Sequence, residues 1–190
     1  MKILDARRAG AALFMIGFAA SFIRLGAQER VMRQTVDFSG YVWNIRQSED
    51  PGGPLDNRFA GRDRSVILRQ DGALELRASY EGGLWYAAEV STVKRLGYGV
   101  YTFRIRTDLS GLDRNLVLGL FTYSRSAADN HSEIDIEFSS WGDARNPPQG
   151  QYVVQPYDKE GHMLRFGLSG LGERSSFRIT WRADRVEFSS

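Results

Sequence analysis

Residues 132–138 read Ser-Glu-Ile-Asp-Ile-Glu-Phe, and this stretch decides the fold class. Acidic and apolar residues alternate in it, which is the pattern of a β-strand with one face in a core and the other face outside it. Ile134, Ile136 and Phe138 are therefore expected to point into the core. The alternation predicts a half-buried strand.

The same period of two recurs along much of the chain. Segments with alternating or continuous apolar residues are 66–68 and 74–78 on either side of Asp71-Gly72, then 85–92, 101–105, 116–123 and 177–181. After residue 30 we find no sustained helical stripe, and Gly-rich turns separate the short segments. The pattern predicts an all-β domain, a jelly-roll sandwich of two antiparallel sheets.

Composition limits the chemistry that this chain can perform. With 190 residues, 42% hydrophobic and 25% charged, it is expected to form one ordered domain. The absence of cysteine excludes a disulfide scaffold, a thiol nucleophile and an iron–sulfur cluster. Two histidines are too few for a multi-histidine metal site. We therefore expect no cofactor and no catalytic metal, with a structural calcium ion left open.

The first 27 residues are expected to be a targeting segment. Basic residues near the start precede an uncharged, mostly apolar run at 9–23, as in a secretory signal peptide. The run is short for a membrane span of about 20 residues, so an uncleaved N-terminal anchor is the second interpretation. The expected division is a signal peptide or anchor at 1–27 and a jelly-roll domain at 28–190. The mature domain is then secreted or periplasmic.

The charge balance indicates the class of partner. Residues 1–27 carry a net charge of +3 and the whole chain carries +2, which leaves −1 for residues 28–190. The domain has no block rich in Lys or Arg, so neither a nucleic acid nor a membrane surface is an expected partner. A nearly neutral exported domain fits an uncharged polysaccharide.

Three carboxylates share one face of the predicted strand. Glu133, Asp135 and Glu137 repel one another with no Lys or Arg between them, and carboxylates are weak strand formers. A solvated acidic face is one interpretation of this pattern. A calcium site is another, because carboxylates are hard oxygen ligands, although three carboxylates along one strand lack the usual looped geometry. The third interpretation is acid–base catalysis.

The spacing of the two glutamates favours the third interpretation. Glu133 and Glu137 lie roughly 13 Å apart along an extended strand, and both side chains can lean toward each other. A retaining glycosidase needs two carboxyl groups about 5–5.5 Å apart, one as nucleophile and one as general acid and then base. Neighbouring negative charges raise the pKa of one of them, and Asp135 between them can tune both.

The motif Glu133-Ile134-Asp135-Ile136-Glu137 resembles the active-site signature of glycoside hydrolase family 16, which includes lichenases, laminarinases, agarases and transglycosylases. Stretches that also resemble strands of lichenase-like members are 86–91, 97–101, 119–123 and 151–157. The resemblance covers about residues 65–188. It implies a concanavalin A-like jelly roll with a concave cleft, and a hydrolase that cleaves internal β-linkages of a β-glucan-like polysaccharide with retention.

The resemblance also implies roles for individual residues. It makes Glu133 the nucleophile, Asp135 the assisting carboxylate and Glu137 the acid/base. The substrate-binding residues that it implies are Glu89, Phe121, Tyr123, Gln155 and Tyr157. Trp141, four residues after Glu137, is a candidate sugar platform because aromatic rings stack on the apolar faces of sugars. We expect the remaining tryptophans, Trp43, Trp85 and Trp181, in the core.

Two departures from the family pattern keep other functions open. Ser91 stands where lichenase-like members often carry an arginine that contacts sugar. The sequence also reaches residue 190 where the family continues into its last strands, so the jelly roll is expected to be incomplete at its C-terminal side. A non-catalytic glycan-binding or cell-wall module is therefore one alternative. A transglycosylase that uses the same two glutamates is the other.

Overall fold

The computed structural model describes residues 12–20, 34–54, 56–124, 132–143 and 145–190, with the backbone alone for residues 12–20. These residues form sixteen strands and one short 3-10 turn, Leu109–Gly111. The strands are Ala12–Ala20 (β1), Thr35–Phe38 (β2), Tyr41–Ile45 (β3), Ser48–Gly52 (β4), Asn57–Phe59 (β5), Val66–Leu68 (β6), Leu74–Leu76 (β7), Ser79–Glu81 (β8), Leu84–Thr92 (β9), Gly99–Ile105 (β10), Leu116–Ser124 (β11), Ile134–Ser139 (β12), Gln149–Val154 (β13), Met163–Gly167 (β14), Ser175–Trp181 (β15) and Val186–Ser189 (β16).

The strands form one large sheet and two small ones. The large sheet has the order β14-β13-β12-β11-β1-β9-β3-β2, and β4, β5 and β8 attach beside β9. A three-stranded sheet has the order β10-β15-β16, and β6 pairs with β7. The pairs are antiparallel, as expected, except that β1 runs parallel to β9 and β11 and β5 runs parallel to β9. The all-β sandwich is confirmed.

The hairpin expected around Asp71-Gly72 is confirmed. Val66 pairs with Leu76 in an antiparallel ladder, and Gly72 has a φ of +80°, which glycine adopts without steric cost. The side chain of Asp71 accepts a hydrogen bond from the Ala73 amide at 3.1 Å and so stabilises the turn. The short strands on both sides therefore come from alternation and the turn residues together.

One face of the large sheet packs against the three-stranded sheet. Phe138 of β12 is fully buried, and its ring lies 4.7 Å from that of Phe177 on β15. Phe166 of β14 meets Phe138 edge-on at 6.3 Å and lies across Gly150 of β13. A Cβ atom on Gly150 would lie 2.2 Å from that ring, so the glycine makes room for the aromatic packing.

A second core lies under the other half of the large sheet. Trp43 is 4% exposed there, which confirms its expected core position, and its indole Nε1 donates to the carbonyl of Phe38 at 2.9 Å. The β6–β7 hairpin covers this part of the sheet, with Val66 buried and Leu76 partly buried. One face of the large sheet is thus covered along its length, and the candidate site lies on the opposite face.

The N-terminal segment occupies an interior position in the large sheet. Residues 12–20 lie between β9 and β11, with Met15 level with Glu89 on one side and Gly119 on the other. The backbone of β1 thereby pairs with both β9 and β11, which do not pair with each other. The N–H and C=O groups of strands inside a sheet require such partners. The sequence did not predict this placement. The interpretation of 1–27 as a signal peptide stays a prediction. Among the described residues no helix is long and apolar enough to cross a membrane.

Candidate active site

Strand β12 holds the three carboxylates that the sequence singled out. Ile134, Ile136 and Phe138 are fully buried in the core, so the side chains between them point to the opposite face. Glu133 immediately precedes the strand, while Asp135 and Glu137 lie within it. The expected alternation is confirmed, and it brings all three carboxylates to the uncovered face of the large sheet.

Asp135 lies at the centre of this face and is 6% exposed. Its carboxylate accepts a hydrogen bond from Nε2 of Gln155 at 3.2 Å. The other side of that amide is fixed, because Oε1 of Gln155 accepts from the backbone N–H of Tyr157 at 3.0 Å. Gln155, an expected binding residue, therefore reaches the carboxylates. Tyr157 contributes its backbone here, while its side chain is 62% exposed.

Glu137 has a second amide partner. Gln151 of β13 lies directly opposite Glu137 in the ladder and donates to it through Nε2. Oε1 of Gln151 accepts from Nε of Arg165 on β14 at 3.2 Å. The sequence analysis did not single out Gln151 or Arg165. Gln151 lay inside a segment that resembled a family strand, and its alternation with Tyr152, which packs against the core, was the available signal.

All three carboxyl groups have raised pKa values. Burial raises the pKa of Glu133, and the charge of Glu137 adds to the effect. Burial raises the pKa of Asp135 well above its ordinary value, reinforced by Glu137 and Glu133 and opposed by the hydrogen bond from Gln155. Burial also raises the pKa of Glu137, against the lowering effects of Gln151 and Arg165. Raised pKa values of neighbouring carboxyls, caused by burial and like charge, are typical of functional sites.

Two aromatic residues of β11 border the carboxylates. Phe121 lies opposite Asp135 in the antiparallel ladder and is 8% exposed. The register places Tyr123 next to Glu133, and its side chain is 39% exposed. Tyr123 is therefore available to a ligand. Phe121 is buried, so its ring forms part of the floor of the site and is not an open platform for a sugar.

Trp141 follows the end of β12 in an unusual backbone conformation. Its φ of +45° is rare for a bulky side chain, and its N–H donates to Oγ of Ser139 at 2.8 Å. The guanidinium of Arg165 lies 4.5 Å from the centre of the indole ring. Trp141 and Arg165 line a cavity of about 130 Å³ together with Asn146. The expected platform is thus beside the site, but a cation covers one face of its ring.

Glu89 lies farther along the same row of the sheet. Since β1 and β11 separate β9 from β12, Glu89 is about 14 Å from Glu137 at roughly 4.8 Å per strand. Nη1 of Arg46 binds its carboxylate at 2.7 Å, and the same guanidinium lies 3.7 Å above the centre of the Phe59 ring. Glu89 and the carboxylates of β12 can contact one extended ligand but not one sugar ring.

Arg46 was not predicted from the sequence because it lies 43 residues before its partner, Glu89.

The prediction that Trp85 lies in the core was wrong, because Trp85 is 52% exposed. By strand alternation Trp85 shares a face with Glu89, and its ring lies 5.0 Å from that of Tyr80. Trp85 is therefore exposed because it lies on the uncovered face of the sheet, opposite Ala88 and Val90 of the core. Trp181 is partly buried against the core.

Metal binding by this face has no support from a ligand cluster. Among the described residues, no group of three or more His, Asp or Glu side chains is arranged to hold a metal ion. The carboxylates of β12 follow one another along a strand, whereas calcium takes six to eight oxygen ligands, which a looped chain brings around the ion. The structural calcium ion stays an untested prediction.

The fold is similar to that of an immunostimulatory antigen and pseudo β-1,3-glucanase of Mycobacterium tuberculosis, with a TM-score of 0.52 and 22% sequence identity. The similarity covers 77% of this chain and 62% of that chain, so this chain spans less than two thirds of the neighbour's length. No protein-family model and no curated protein matches the sequence. The similarity therefore shows a glucanase-like β-sandwich fold.

Proposed function

We propose that this chain binds a β-glycan on the uncovered face of the large sheet and hydrolyses its internal β-linkages with retention of configuration. The observation that carries the proposal is the row of Glu133, Asp135 and Glu137, whose side chains share one face and have raised pKa values. The resemblance of this motif to glycoside hydrolase family 16 and the glucanase-like fold support it.

In the proposed mechanism the two glutamates act in succession. Glu133 attacks the anomeric carbon while Glu137 gives its proton to the departing glycosidic oxygen, which leaves as an alcohol. Glu137, now a carboxylate, takes a proton from water, and the resulting hydroxide displaces Glu133 from the glycosyl-enzyme. Asp135 lies between the two glutamates and modulates their charge. Retention follows because the anomeric carbon is inverted twice.

The remaining polar and aromatic groups suit a bound glycan. Tyr123, level with Glu133, and Tyr157, two residues after Gln155, are both exposed, and aromatic side chains pack well on the apolar faces of sugars. Gln155 holds Asp135, while Glu89 and its partner Arg46 lie about 14 Å from Glu137 at roughly 4.8 Å per strand. This separation suits a polymer that extends across the strands more than a monosaccharide.

The direct test uses Glu133→Ala and Glu137→Ala in the full chain, assayed on soluble β-glucans of different linkage. Both variants are expected to lose more than about 99.9% of the wild-type rate of reducing-sugar release. On an aryl β-glycoside, whose leaving group departs without a proton, azide should restore cleavage and yield an α-glycosyl azide with the first variant and a β-glycosyl azide with the second. Glu75→Ala is the matched control, because Glu75 lies on the β6–β7 hairpin away from this face. Wild-type rates in both variants would refute the proposal.

A second candidate function is glycan binding without turnover. It is favoured by the structural neighbour, whose name describes a pseudo-glucanase. In that case the wild-type chain would co-sediment with insoluble β-glucan and release no reducing ends. Adding an excess of an acceptor oligosaccharide to the same assay separates hydrolysis from transfer, because a transglycosylase would lengthen the acceptor.

The proposed location of the mature protein is secreted or periplasmic, on the basis of residues 1–27. N-terminal sequencing of the exported protein is expected to start near residue 28. A start at residue 1 would contradict cleavage and favour the anchor interpretation. Because β1 lies between β9 and β11, cleavage would also remove a strand from the large sheet.

A further inference from the structure

A line of contacts connects Trp141 to Glu137 through two polar side chains. The guanidinium of Arg165 lies over the Trp141 ring at 4.5 Å and donates from Nε to Oε1 of Gln151 at 3.2 Å. Nε2 of Gln151 in turn donates to the carboxylate of Glu137. Glu137, Gln151 and Arg165 lie opposite one another on three adjacent strands, so the sheet register itself sets this order.

The amide of Gln151, which lies between Arg165 and Glu137, has a different chemical role at each of its two ends. A glutamine amide accepts hydrogen bonds on its oxygen side and donates on its nitrogen side, whereas arginine only donates. Arg165 therefore fixes the oxygen of Gln151 toward β14 and leaves the NH₂ group directed at Glu137. Without Arg165 the amide can turn over and present its oxygen to Glu137.

We propose that Arg165 is a positioning residue for Glu137: by orienting the amide of Gln151, it couples the turn at Trp141 to the proposed acid/base. The consequence for activity rests on the proposed function. The contact between Arg165 and Glu137 is indirect, so Arg165 adjusts the carboxyl without forming an ion pair that would keep it charged.

The charged surroundings of Glu137 are consistent with this role. Asp135 lies on its own strand and Glu133 just before that strand, Arg165 is the described cation on the β13–β14 side, and the neighbours on β11 are the uncharged Gly119 and Phe121. Burial raises the pKa of Glu137, and Gln151 and Arg165 both lower it. Loss of Arg165 is therefore expected to raise this pKa further.

The amides of Gln155 and Gln151, on the same face of the sheet, are held in orientation by different kinds of group. Gln155 is fixed by the backbone N–H of Tyr157, which every residue except proline would supply. Gln151 is fixed by the side chain of Arg165, which is exposed and borders the cavity of about 130 Å³ beside Trp141. A ligand in that cavity can thus reach the group that orients Gln151.

The test is a pH titration of the Glu137 carboxyl by ¹³C NMR in the ligand-free full chain, with the signal assigned from Glu137→Gln. Arg165→Met is expected to raise the midpoint by on the order of half a pH unit, and Arg165→Lys by less. In a Gln151→Met background, Arg165→Met should move the midpoint by less than half as much. Arg104→Met, on the exposed face of β10, is the matched control and should move nothing.

Two results would overturn the proposal: no shift in Arg165→Met, or the same shift with and without Gln151. Arg165→Lys keeps the question answerable if the methionine variant does not fold. If the protein hydrolyses glycan, the basic limb of kcat/KM should move upward by the same amount in Arg165→Met. A protein that shows the NMR shift without hydrolysis would refute the proposed function and leave the coupling intact.

Discussion

The β6–β7 hairpin and strand β12 carry the same acidic residue types in opposite surroundings. On the hairpin, Glu75 contacts Nε of Arg69 at 3.2 Å and also binds Arg77. The hydrogen bond from Arg77 is the largest cause of the lowered pKa of Glu75. On β12, the described partners of Asp135 and Glu137 are the amides of Gln155 and Gln151, and burial raises both pKa values.

The difference shows how a fold separates carboxylates that are held in the charged form from carboxylates whose pKa is raised by burial. A direct arginine partner stabilises the charged form and fixes it across the ordinary pH range. An amide donates a hydrogen bond to the carboxylate but adds no positive charge. Burial is then the largest influence on the pKa of the carboxyl group. Arg165, a cation that lowers the pKa of Glu137, is connected to it through Gln151 and not by a direct ion pair. Sequence composition alone does not distinguish the two cases.

The largest expected contrast is in catalysis. Glu137→Gln should reduce β-glucan hydrolysis by about a thousandfold or more, because the glutamine cannot donate a proton to the leaving oxygen. Glu75→Gln should leave the rate within about twofold, because Glu75 contacts arginines away from the site. Initial rates of reducing-sugar release measure both. Equal losses would remove the distinction between the two regions.

The next contrast concerns packing. Phe138→Ala on β12 is expected to lower the free energy of unfolding by about 3–5 kcal/mol, because the ring is fully buried against Phe177. Leu76→Ala on the hairpin should cost roughly 1–2 kcal/mol, because Leu76 is only partly buried. Urea denaturation of the two variants compares them. A larger loss for Leu76→Ala would place the main core under the hairpin.

A smaller effect of the opposite sign is expected from Asp135→Asn. The folded state raises the pKa of Asp135, so its contribution to stability is present below the unfolded pKa of about 3.9 and is lost as pH rises through the folded pKa. The variant should therefore be more stable than wild type at pH 7, and this difference should disappear near pH 3. Thermal unfolding across this pH range tests it, and a destabilised variant at pH 7 would contradict the assigned direction.

The smallest effect should come from Glu75→Gln on stability. Its pKa is lowered, so the stability that it provides is present at neutral pH and is lost as pH falls through the folded pKa. Solvent screens these pairs, which limits the expected loss to less than about 0.5 kcal/mol at pH 7. Added salt should reduce it further. A loss above about 1 kcal/mol would mean that hairpin arginines contribute as much as buried groups.

Local patterns were sufficient to predict much of the fold. The Val66–Leu76 hairpin follows from alternation around Asp71-Gly72, and the two faces of β12 follow from a period of two over a few residues. The same alternation brought Glu133, Asp135 and Glu137 together without any tertiary information. These features depend on neighbours in the sequence, which is why they could be predicted.

Contacts between distant segments could not be predicted in this way. Arg46 binds Glu89 across 43 residues, and Arg165 reaches Glu137 only through the register of two further strands. Trp85 is exposed because it lies on the uncovered face of β9, and a strand pattern does not say which of its two faces another layer covers. The position of residues 12–20 depends on two separate strand edges that meet only in the folded sheet.

Gly150 lies in a segment whose Asn, Pro and Gly residues are typical of a loop, yet it belongs to β13. Because the ring of Phe166 lies across it, any larger residue at position 150 would collide with that ring. A residue larger than glycine at position 150 therefore requires a smaller side chain than phenylalanine at position 166. In related sequences the residues at these two positions should therefore vary together.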